Sequence, residues 1–220
     1  DRPLNVSKIK LLLSSKVVQN GGWLYLLQIF NTVAPLITLP YITRVLGSAQ
    51  YGVFAFSLNL TGYFQALVEY GFNLTGARKV ATAKDRNEVA KIYSAITSTK
   101  VLICLATFML MLGVCVVFPI PKTQVICLLI LYLVITGTAI QQTWLFQGLE
   151  EMRYITIINV IARSISIVLI FLLVKRAEQI YTYCLLYAIT FVLAGIISLT
   201  VTAKKLKIKF KLPGKQNIMA

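Results

Sequence analysis

The sequence predicts an all-α fold, a polytopic transmembrane helical bundle, and three observations support this prediction. Of the 220 residues, 58% are hydrophobic and 13% are charged, against about 25% charged residues in an ordinary soluble domain. The mean hydropathy is +0.78. Apolar runs of about 20 residues recur, each long enough to cross a hydrocarbon core of about 30 Å, and they lack the alternation typical of β-barrel strands.

The apolar runs predict six spans that are joined by short loops. These spans cover about residues 17–46, 51–77, 92–118, 123–149, 154–174 and 180–203. A turn at Gly47–Gln50 separates the first two, and prolines mark the loop after the third. Residues 1–16 are expected to form a basic interfacial segment at the amino terminus. Residues 204–220 are expected to form a basic cytoplasmic tail or an inter-lobe linker.

The distribution of lysine and arginine predicts the orientation. Of these 22 residues, 16 lie on the side of the amino terminus in the six-span arrangement and four lie in the opposite loops, while Lys100 and Arg163 fall in or near the membrane. Cytoplasmic loops carry the excess of positive charge, so both termini are expected in the cytoplasm and the protein in the inner (plasma) membrane. The net charge of +15 then favours anionic lipid headgroups and needs no nucleic-acid partner.

Polar and small residues recur at helical spacing within five of the spans, so that each set shares a helix face. In chain order these residues are Gln28, Asn31, Pro35 and Thr38; Asn59, Gly62, Ala66, Glu69 and Asn73; Tyr93, Thr97 and Lys100; Thr136, Thr143 and Gln147, with Gln142 nearby; and Thr156, Asn159, Arg163 and Ser166. The final span is apolar nearly all round and is expected to face lipid or to pack. Two interpretations of the polar faces stay open: they join neighbouring helices, or they line a hydrophilic cavity.

Charged side chains are predicted inside the membrane, where each costs about 2.5–3.5 kcal/mol at the bilayer centre. Glu69 and Arg163 are expected to be counter-charges, in a pair that is either structural or functional. Lys100 is close enough to the end of its span to extend towards water. The same holds for Arg44, which is expected at the outer mouth of the cavity.

A functional cavity would combine these charges with side-chain amides. The residues predicted to line it are Arg163, Lys100, Glu69, Asn31, Asn59, Asn73, Asn159 and Gln142. Arginine binds phosphate through two parallel hydrogen bonds, so the cavity would suit an anionic, phosphate-bearing substrate. Pro35 and Pro40 would let the first span bend, because each removes a backbone hydrogen bond. A bendable helix beside a polar cavity is a candidate moving part of alternating access.

The sequence has few of the residues and motifs that an enzyme active site would require. It has no histidine, the commonest general base and metal ligand. Its four cysteines fall within predicted spans, without a C-x-x-C motif. The acidic clusters, Asp85 with Glu88 and Glu150 with Glu151, lie in loops beside basic residues, as solvated surfaces do. No catalytic residue, metal site or organic cofactor is therefore expected.

Two stretches carry a family resemblance. They are residues 39–81, LPYITRVLGSAQYGVFAFSLNLTGYFQALVEYGFNLTGARKVA, and residues 141–175, QQTWLFQGLEEMRYITIINVIARSISIVLIFLLVK. The first resembles the opening helical hairpin of O-antigen and polysaccharide flippases, the polysaccharide transporters of the multidrug/oligosaccharidyl-lipid/polysaccharide (MOP) exporter superfamily. The other stretch is similar to the fourth and fifth spans of the same family. The resemblance covers about residues 19–212.

The resemblance implies a MATE-like transporter of twelve to fourteen helices in two six-helix lobes around a central cavity. This chain matches the amino-terminal lobe and would be a fragment of the whole. The implied substrate is a lipid-linked oligosaccharide, an O-antigen or exopolysaccharide repeat unit on undecaprenyl diphosphate, which is flipped from the cytoplasmic to the periplasmic leaflet. Arg163 and Lys100 would contact the diphosphate or an acidic sugar.

Ion coupling and partners also follow from the resemblance. It implies H⁺ or Na⁺ as the coupling ion, with Glu69 as a counter-charge or as a protonatable coupling group. The implied partners are membrane lipids, the lipid-linked oligosaccharide, and polysaccharide polymerase and assembly proteins.

Other functions remain as alternatives. A multidrug and toxin exporter of the same superfamily would carry organic cations, which favours carboxylates in the cavity, whereas the charges here lean cationic. A membrane-bound polysaccharide-processing enzyme would need paired carboxylates or a sizeable extramembrane loop. A structural or assembly protein has no positive sign in the sequence.

Overall fold

The computed structural model describes residues 16–208, and all of their regular structure is helical. The elements are α1 (Lys16–Glu69), α2 (Phe72–Ala81), α3 (Arg86–Val117), α4 (Lys122–Ile140), α5 (Thr143–Gly148), α6 (Met152–Leu173), a 3₁₀ turn (Ala177–Gln179) and α7 (Ile180–Lys204). Five stretches are long and apolar enough to cross a membrane, and the first, Val18–Ala81, has 64 residues. The prediction of an all-α, polytopic membrane bundle is confirmed. The predicted interfacial segment, apart from Lys16, and the tail beyond Ile208 lie outside the described residues.

Helix α1 folds back on itself at Gly47. This residue has φ 77° and ψ 163°, in contrast to the helical dihedral angles of the rest of α1, and such angles are essentially restricted to glycine. Thr38 and Leu58 line the same cavity, although they would lie about 30 Å apart on a straight helix. Residues 16–46, the first arm, and residues 48–69, the second arm, therefore form a hairpin. Each arm is long enough to cross a membrane.

The two prolines of the first arm do not break it. Helical dihedral angles continue through Pro35 and Pro40, although each lacks the N–H that would bond to the preceding turn. The Thr38 hydroxyl donates to the Ala34 carbonyl at 3.0 Å, which adds a hydrogen bond to the turn that contains Pro35. The sharp change of direction thus lies at Gly47, and the hinge at the prolines stays a prediction.

Two further breaks interrupt the predicted spans. Helix α1 ends at Glu69, and Gly71 has a left-handed φ of 75° before α2 begins, as glycine commonly has after a helix. The stripe predicted from Asn59 to Asn73 is therefore wrong at its last member, because Asn73 lies on a different helix. The fourth span likewise divides into α4 and α5, which two non-helical residues separate, so its predicted polar face is not continuous either.

Helix α4 lies at the centre of the bundle and contributes to two apolar cores. One core joins it to both arms of α1, to α6 and to α7 through the buried residues Ile42, Leu46, Phe54, Cys127, Leu131, Val134, Ile170, Val174, Ile180, Tyr183, Cys184, Leu186 and Ala188. The other joins it to the second arm and to α3 through Phe64, Val68, Cys104, Met111, Tyr132, Ile135 and Ala139. All four cysteines, each within the described range, are free, and three of them are buried, so they act as small apolar residues in helix contacts.

Helices α4 and α7 approach each other closely at two glycines. A Cβ atom on Gly137 would lie 2.5 Å from the backbone carbonyl carbon of Phe191, and one on Gly195 would lie 2.8 Å from the carbonyl oxygen of Gly137. Small residues at such crossings let transmembrane helices pack backbone against backbone. This contact brings α7 close to α4, so that side chains of α7 extend into the interior of the bundle.

Replacement of Gly137 with alanine is expected to destabilise the bundle by about 1–3 kcal/mol, the usual cost of overpacking, because the neighbouring atoms are backbone. The melting temperature and the folded fraction after detergent extraction measure the effect. Gly113→Ala on α3 is the matched control, since nothing lies within 4 Å of a Cβ atom at that position. Equal melting temperatures for the two variants would contradict the close packing of α4 on α7.

The chain after α7 returns to the bundle. Ile208 is 6% exposed, and it packs in one cluster with Val80, Val89 and Trp144, which belong to α2, α3 and α5. Its amide donates to the Thr202 carbonyl at 3.3 Å. The first residues of the predicted basic tail are therefore part of the folded bundle.

Candidate functional site

Arg163 lies near the middle of α6, where it bonds to the first arm of α1. Its Nη1 donates a 2.6 Å hydrogen bond to Oδ1 of Asn31, and both side chains are half-buried. Among residues 16–208, the side chains that form an ion pair within 4 Å are Arg153 and Glu151. Arg163 forms no ion pair with any residue in this range. The guanidinium therefore carries a positive charge that no neighbouring carboxylate neutralises.

This geometry corrects the predicted pair of Glu69 with Arg163. The partner of Arg163 is a neutral amide, whereas Glu69 interacts electrostatically with Lys100. The reason lies in helix packing, because α6 is bound to the first arm and Glu69 ends the second arm. A hydrogen bond from the Thr156 hydroxyl to the Trp23 carbonyl, at 2.7 Å, joins α6 to the first arm at a second point.

Lys100 is enclosed in the bundle. It is 1% exposed and lies on the buried face of α3 with Tyr93 and Thr97, so the prediction that it extends towards water is wrong. Its electrostatic partner Glu69 also accepts a 3.1 Å hydrogen bond from Gln65 Nε2. Because an enclosed cation is costly unless other groups compensate it, Lys100 and Glu69 form a second charged centre, separate from Arg163.

A cavity of 210 Å³ lies beside Arg163, between the two arms of α1, α6 and α7. Its lining combines aromatic rings, hydroxyl groups and aliphatic side chains with one charged residue: Ala34, Pro35, Thr38, Leu39, Tyr51, Phe54, Leu58, Arg163, Ser166, Ile167, Ile170, Tyr183, Tyr187, Thr190 and Phe191. Pro35 and Leu39 are the exposed members of this lining, so the cavity opens beside the first arm. Within the described part of the chain, no three His, Cys, Asp or Glu residues group as metal ligands.

The aromatic wall of the cavity comes largely from α7, and the sequence interpretation missed it. Tyr183, Tyr187 and Phe191 follow one another at i, i+4 and i+8, so they share one helix face. The ring centroid of Phe54, on the second arm, lies 4.6 Å from that of Tyr183 and 5.3 Å from that of Tyr187. The final span packs into the bundle, as expected, but this face also lines the cavity, which the sequence did not lead us to expect. Its aromatic spacing was the signal available in the sequence.

Gln142 lies at the break between α4 and α5 and Asn159 lies on α6 beside it, and neither residue lines the cavity. Gln142 is completely buried; its backbone N–H donates to Ser198 Oγ and its Nε2 to the Ile140 carbonyl, both at 2.8 Å. Asn159 Oδ1 accepts a 3.3 Å hydrogen bond from Gln141 Nε2. These bonds satisfy polar groups that the helix break leaves unpaired, which favours the structural interpretation for both residues.

The remaining predicted residues lie outside the cavity. Asn59 and Arg44 are exposed, and Asn73 is half-buried near the start of α2. Gly62 and Ala66 are exposed as well, so this part of the predicted stripe lies on the exposed face of the second arm. The sequence identified this face correctly as polar, but the cavity lies on another side of the arm.

Comparisons with known proteins agree with this architecture. The sequence matches the family described as polysaccharide biosynthesis protein over residues 17–220. A relative from Escherichia coli (strain K12), named "Putative O-antigen transporter", is 30% identical over 199 residues, which are 90% of this chain and 46% of the relative. A relative of the same name from Shigella dysenteriae is 34% identical over 182 residues, which are 82% of this chain and 46% of the relative.

The chain spans about half the length of these curated relatives, and no solved structure matches it significantly. The family match covers nearly all of the described residues, including both arms of α1, α6 and α7. The resemblance seen in residues 39–81 and 141–175 is therefore confirmed at the level of the family. The chain belongs to the polysaccharide biosynthesis protein family.

Proposed function

We propose that the protein is a membrane transporter that moves a lipid-linked oligosaccharide, an O-antigen or exopolysaccharide repeat unit on undecaprenyl diphosphate, from the cytoplasmic to the outer leaflet. The observation that carries this proposal is the unneutralised charge of Arg163 beside a cavity in the membrane-spanning bundle. The family membership and the names of the two relatives support it. Because the chain spans about half of those relatives, the activity is proposed for the complete protein.

The charge of Arg163 favours an anionic substrate. Taking a cation out of water costs several kcal/mol unless an anion or polar groups compensate it, and the hydrogen-bond partner of Arg163 among the described residues is the neutral Asn31. The other N–H donors of the guanidinium stay available for a two-bond contact with a phosphate or a carboxylate. The same charge disfavours the organic cations that a multidrug exporter would carry.

The hairpin in α1 supports six crossings of the membrane. Each arm of the hairpin is long enough for one crossing, so the five long apolar stretches supply six. An even number of crossings returns both ends to one side, and the excess of lysine and arginine on that side favours the cytoplasm. We therefore propose that both ends of this chain lie in the cytoplasm and that the protein is a multi-pass protein of the inner membrane.

Glu69 and Lys100 form the proposed coupling centre. Ionisable residues inside a membrane commonly mark ion pathways and proton relays. Binding of H⁺ or Na⁺ to Glu69 would weaken its attraction to Lys100, and this would loosen the second arm from α3. We propose that the loosening accompanies alternating access, with Pro35 and Pro40 as the hinge of the first arm.

Reconstitution of the complete protein tests the proposed function. The vesicles contain a fluorescently labelled, undecaprenyl-diphosphate-linked oligosaccharide, and an impermeant quencher reports the leaflet that holds the label. Translocation faster than in protein-free vesicles is expected, with further acceleration by a proton or a sodium gradient. If the folded protein leaves the lipid in its starting leaflet under both gradients, the proposed function is wrong.

A further inference from the structure

We propose that the cavity beside Arg163 is a subsite for one acidic pyranose ring of the carried oligosaccharide. The inference deepens the proposed function and rests on it for the source of the sugar. The cavity is lined by residues of both arms of α1, of α6 and of α7. It would bind a ring that carries one carboxylate, and four features of its lining support that assignment.

The first feature is the aromatic wall. The rings of Tyr51, Phe54, Tyr183, Tyr187 and Phe191 line one cavity, and neighbouring ring centroids lie 4.6–6.5 Å apart. A pyranose ring has an apolar face of C–H bonds, which can pack on such rings, and a rim of hydroxyl groups. Pockets that orient small ligands combine apolar and aromatic walls with a few polar groups in this way.

The second feature is a set of three tyrosines in the lining, Tyr51, Tyr183 and Tyr187. The hydroxyl groups of Tyr51, Tyr183 and Tyr187 form no hydrogen bond with another residue of the described range, and none of them is among the fully buried polar atoms that lack a partner. Tyr183 is only 7% exposed. The three tyrosines line the cavity together with Arg163, and the ring centroids of Tyr183 and Tyr187 lie 6.5 Å apart, so they converge on one region. Sugar hydroxyl groups in the cavity would form hydrogen bonds with these tyrosine hydroxyls.

The third feature is the presence of acceptors beside these donors. The hydroxyls of Ser166 and Thr190 donate to the Leu186 carbonyl, at 2.7 Å and 3.3 Å. Their donor capacity is therefore used, while their oxygen lone pairs can still accept hydrogen bonds from a ligand. The lining thus offers both kinds of partner that a ring of hydroxyl groups requires.

The fourth feature is the charge and size of the cavity. Arg163 is the one charged residue of the lining, which matches the single negative charge of a carboxylate better than the several charges of a diphosphate. At 210 Å³ the cavity is smaller than the sites of about 300–1,000 Å³ that hold drug-sized ligands. One sugar ring is therefore a better occupant than a longer segment of the oligosaccharide.

Binding of free sugars to the purified complete protein tests the subsite. Saturation-transfer NMR titrations with D-glucuronate, D-glucose and inorganic pyrophosphate give affinities for an acidic sugar, a neutral sugar and a diphosphate. The wild-type protein is expected to bind glucuronate about tenfold or more tightly than glucose, since a hydrogen bond to a charged group contributes about 1.5–3 kcal/mol. Saturation is expected on the ring C–H protons that contact the aromatic wall.

Variants separate the roles of charge and hydroxyl groups. Arg163→Gln is expected to lose the preference for glucuronate while it still binds glucose, which also shows that the variant is folded. Tyr183→Phe keeps the ring and is expected to weaken both sugars by about two- to tenfold, the effect of one neutral hydrogen bond. Tyr70→Phe is the matched control, because Tyr70 is 81% exposed and outside the cavity, and it is expected to bind like the wild type.

Other results would contradict the subsite, its assignment to an acidic sugar, or the proposed transport function. No saturation of glucuronate by the folded protein, or an unchanged preference in Arg163→Gln, would overturn the subsite. Pyrophosphate that binds more tightly than glucuronate and displaces it would overturn the assignment to an acidic sugar, while the proposed transport would stand. Sugar binding by a protein that fails the leaflet assay would support the subsite and refute the transport function.

Discussion

Replacement of Arg163 with alanine is expected to abolish the export of surface polysaccharide while the amount of protein in the membrane stays normal. Arg163 is the one charged residue in the lining of the cavity. Loss of two hydrogen bonds to an anion, each about 1.5–3 kcal/mol, would slow transport by about 100-fold or more. The loss of folding stability is expected to be smaller than the loss of transport, because the hydrogen-bond partner left behind is the half-buried, neutral Asn31. Surface polysaccharide on gels and the protein content of membranes measure the two effects.

A matched variant on the same helix controls for the loss of an arginine. Arg153 is exposed and paired with Glu151, and such surface pairs contribute only about 0–1 kcal/mol, so Arg153→Ala is expected to export normally. Arg163→Lys keeps the charge but not the planar fork and is expected to retain partial export. Full export with alanine or leucine at position 163 would show that the charge has no role.

Replacement of Lys100 with glutamate is expected to reduce the folded protein to about a tenth or less. The position is 1% exposed, and the new carboxylate would repel Glu69, whose charge now attracts Lys100. A charge near the bilayer centre costs about 2.5–3.5 kcal/mol without compensation, and repulsion adds to this cost. The monodisperse fraction in detergent and the melting temperature report the loss.

A charge exchange makes this prediction specific. The double variant Glu69→Lys with Lys100→Glu restores opposite charges and is expected to recover at least about half of the folded protein, because the effects of electrostatically interacting residues are coupled. Lys91→Glu is the control on the same helix, since Lys91 is exposed. If Lys100→Glu folds normally, or the exchange recovers nothing, the two residues are not partners.

The class of the fold was predictable because it depends on local composition. Apolar runs long enough to span a bilayer must be helical, since lipid offers no partner for backbone N–H and C=O groups. The turn at Gly47 and the short loops were also predictable, because glycine, proline and polar residues mark them locally in the sequence. The break at Gly71 also had a local signal, a glycine where a helix can end, although the stripe through Asn73 hid it.

The partners of the charged residues were not predictable from the sequence. Helical spacing shows which residues share a face, but it does not show which other helix that face meets. For this reason Arg163 was identified as a site residue and given the wrong partner, Glu69 instead of Asn31. Gln142 was assigned to the cavity, although it satisfies a helix break that only the packing of α4, α5 and α7 creates.

The sequence by itself determined that this chain is a bundle of membrane helices of the polysaccharide biosynthesis protein family, with Arg163 as a charged group inside it. Hydropathy, glycine turns and the order of the motifs can be read from the sequence directly, because they do not depend on contacts between distant residues. The tertiary structure alone decided that Tyr183 and Tyr187 of the final helix stand beside Arg163 in one cavity. Their convergence depends on the close approach of α4 and α7 at two glycines and on the fold-back at Gly47, which are contacts between residues far apart in the chain.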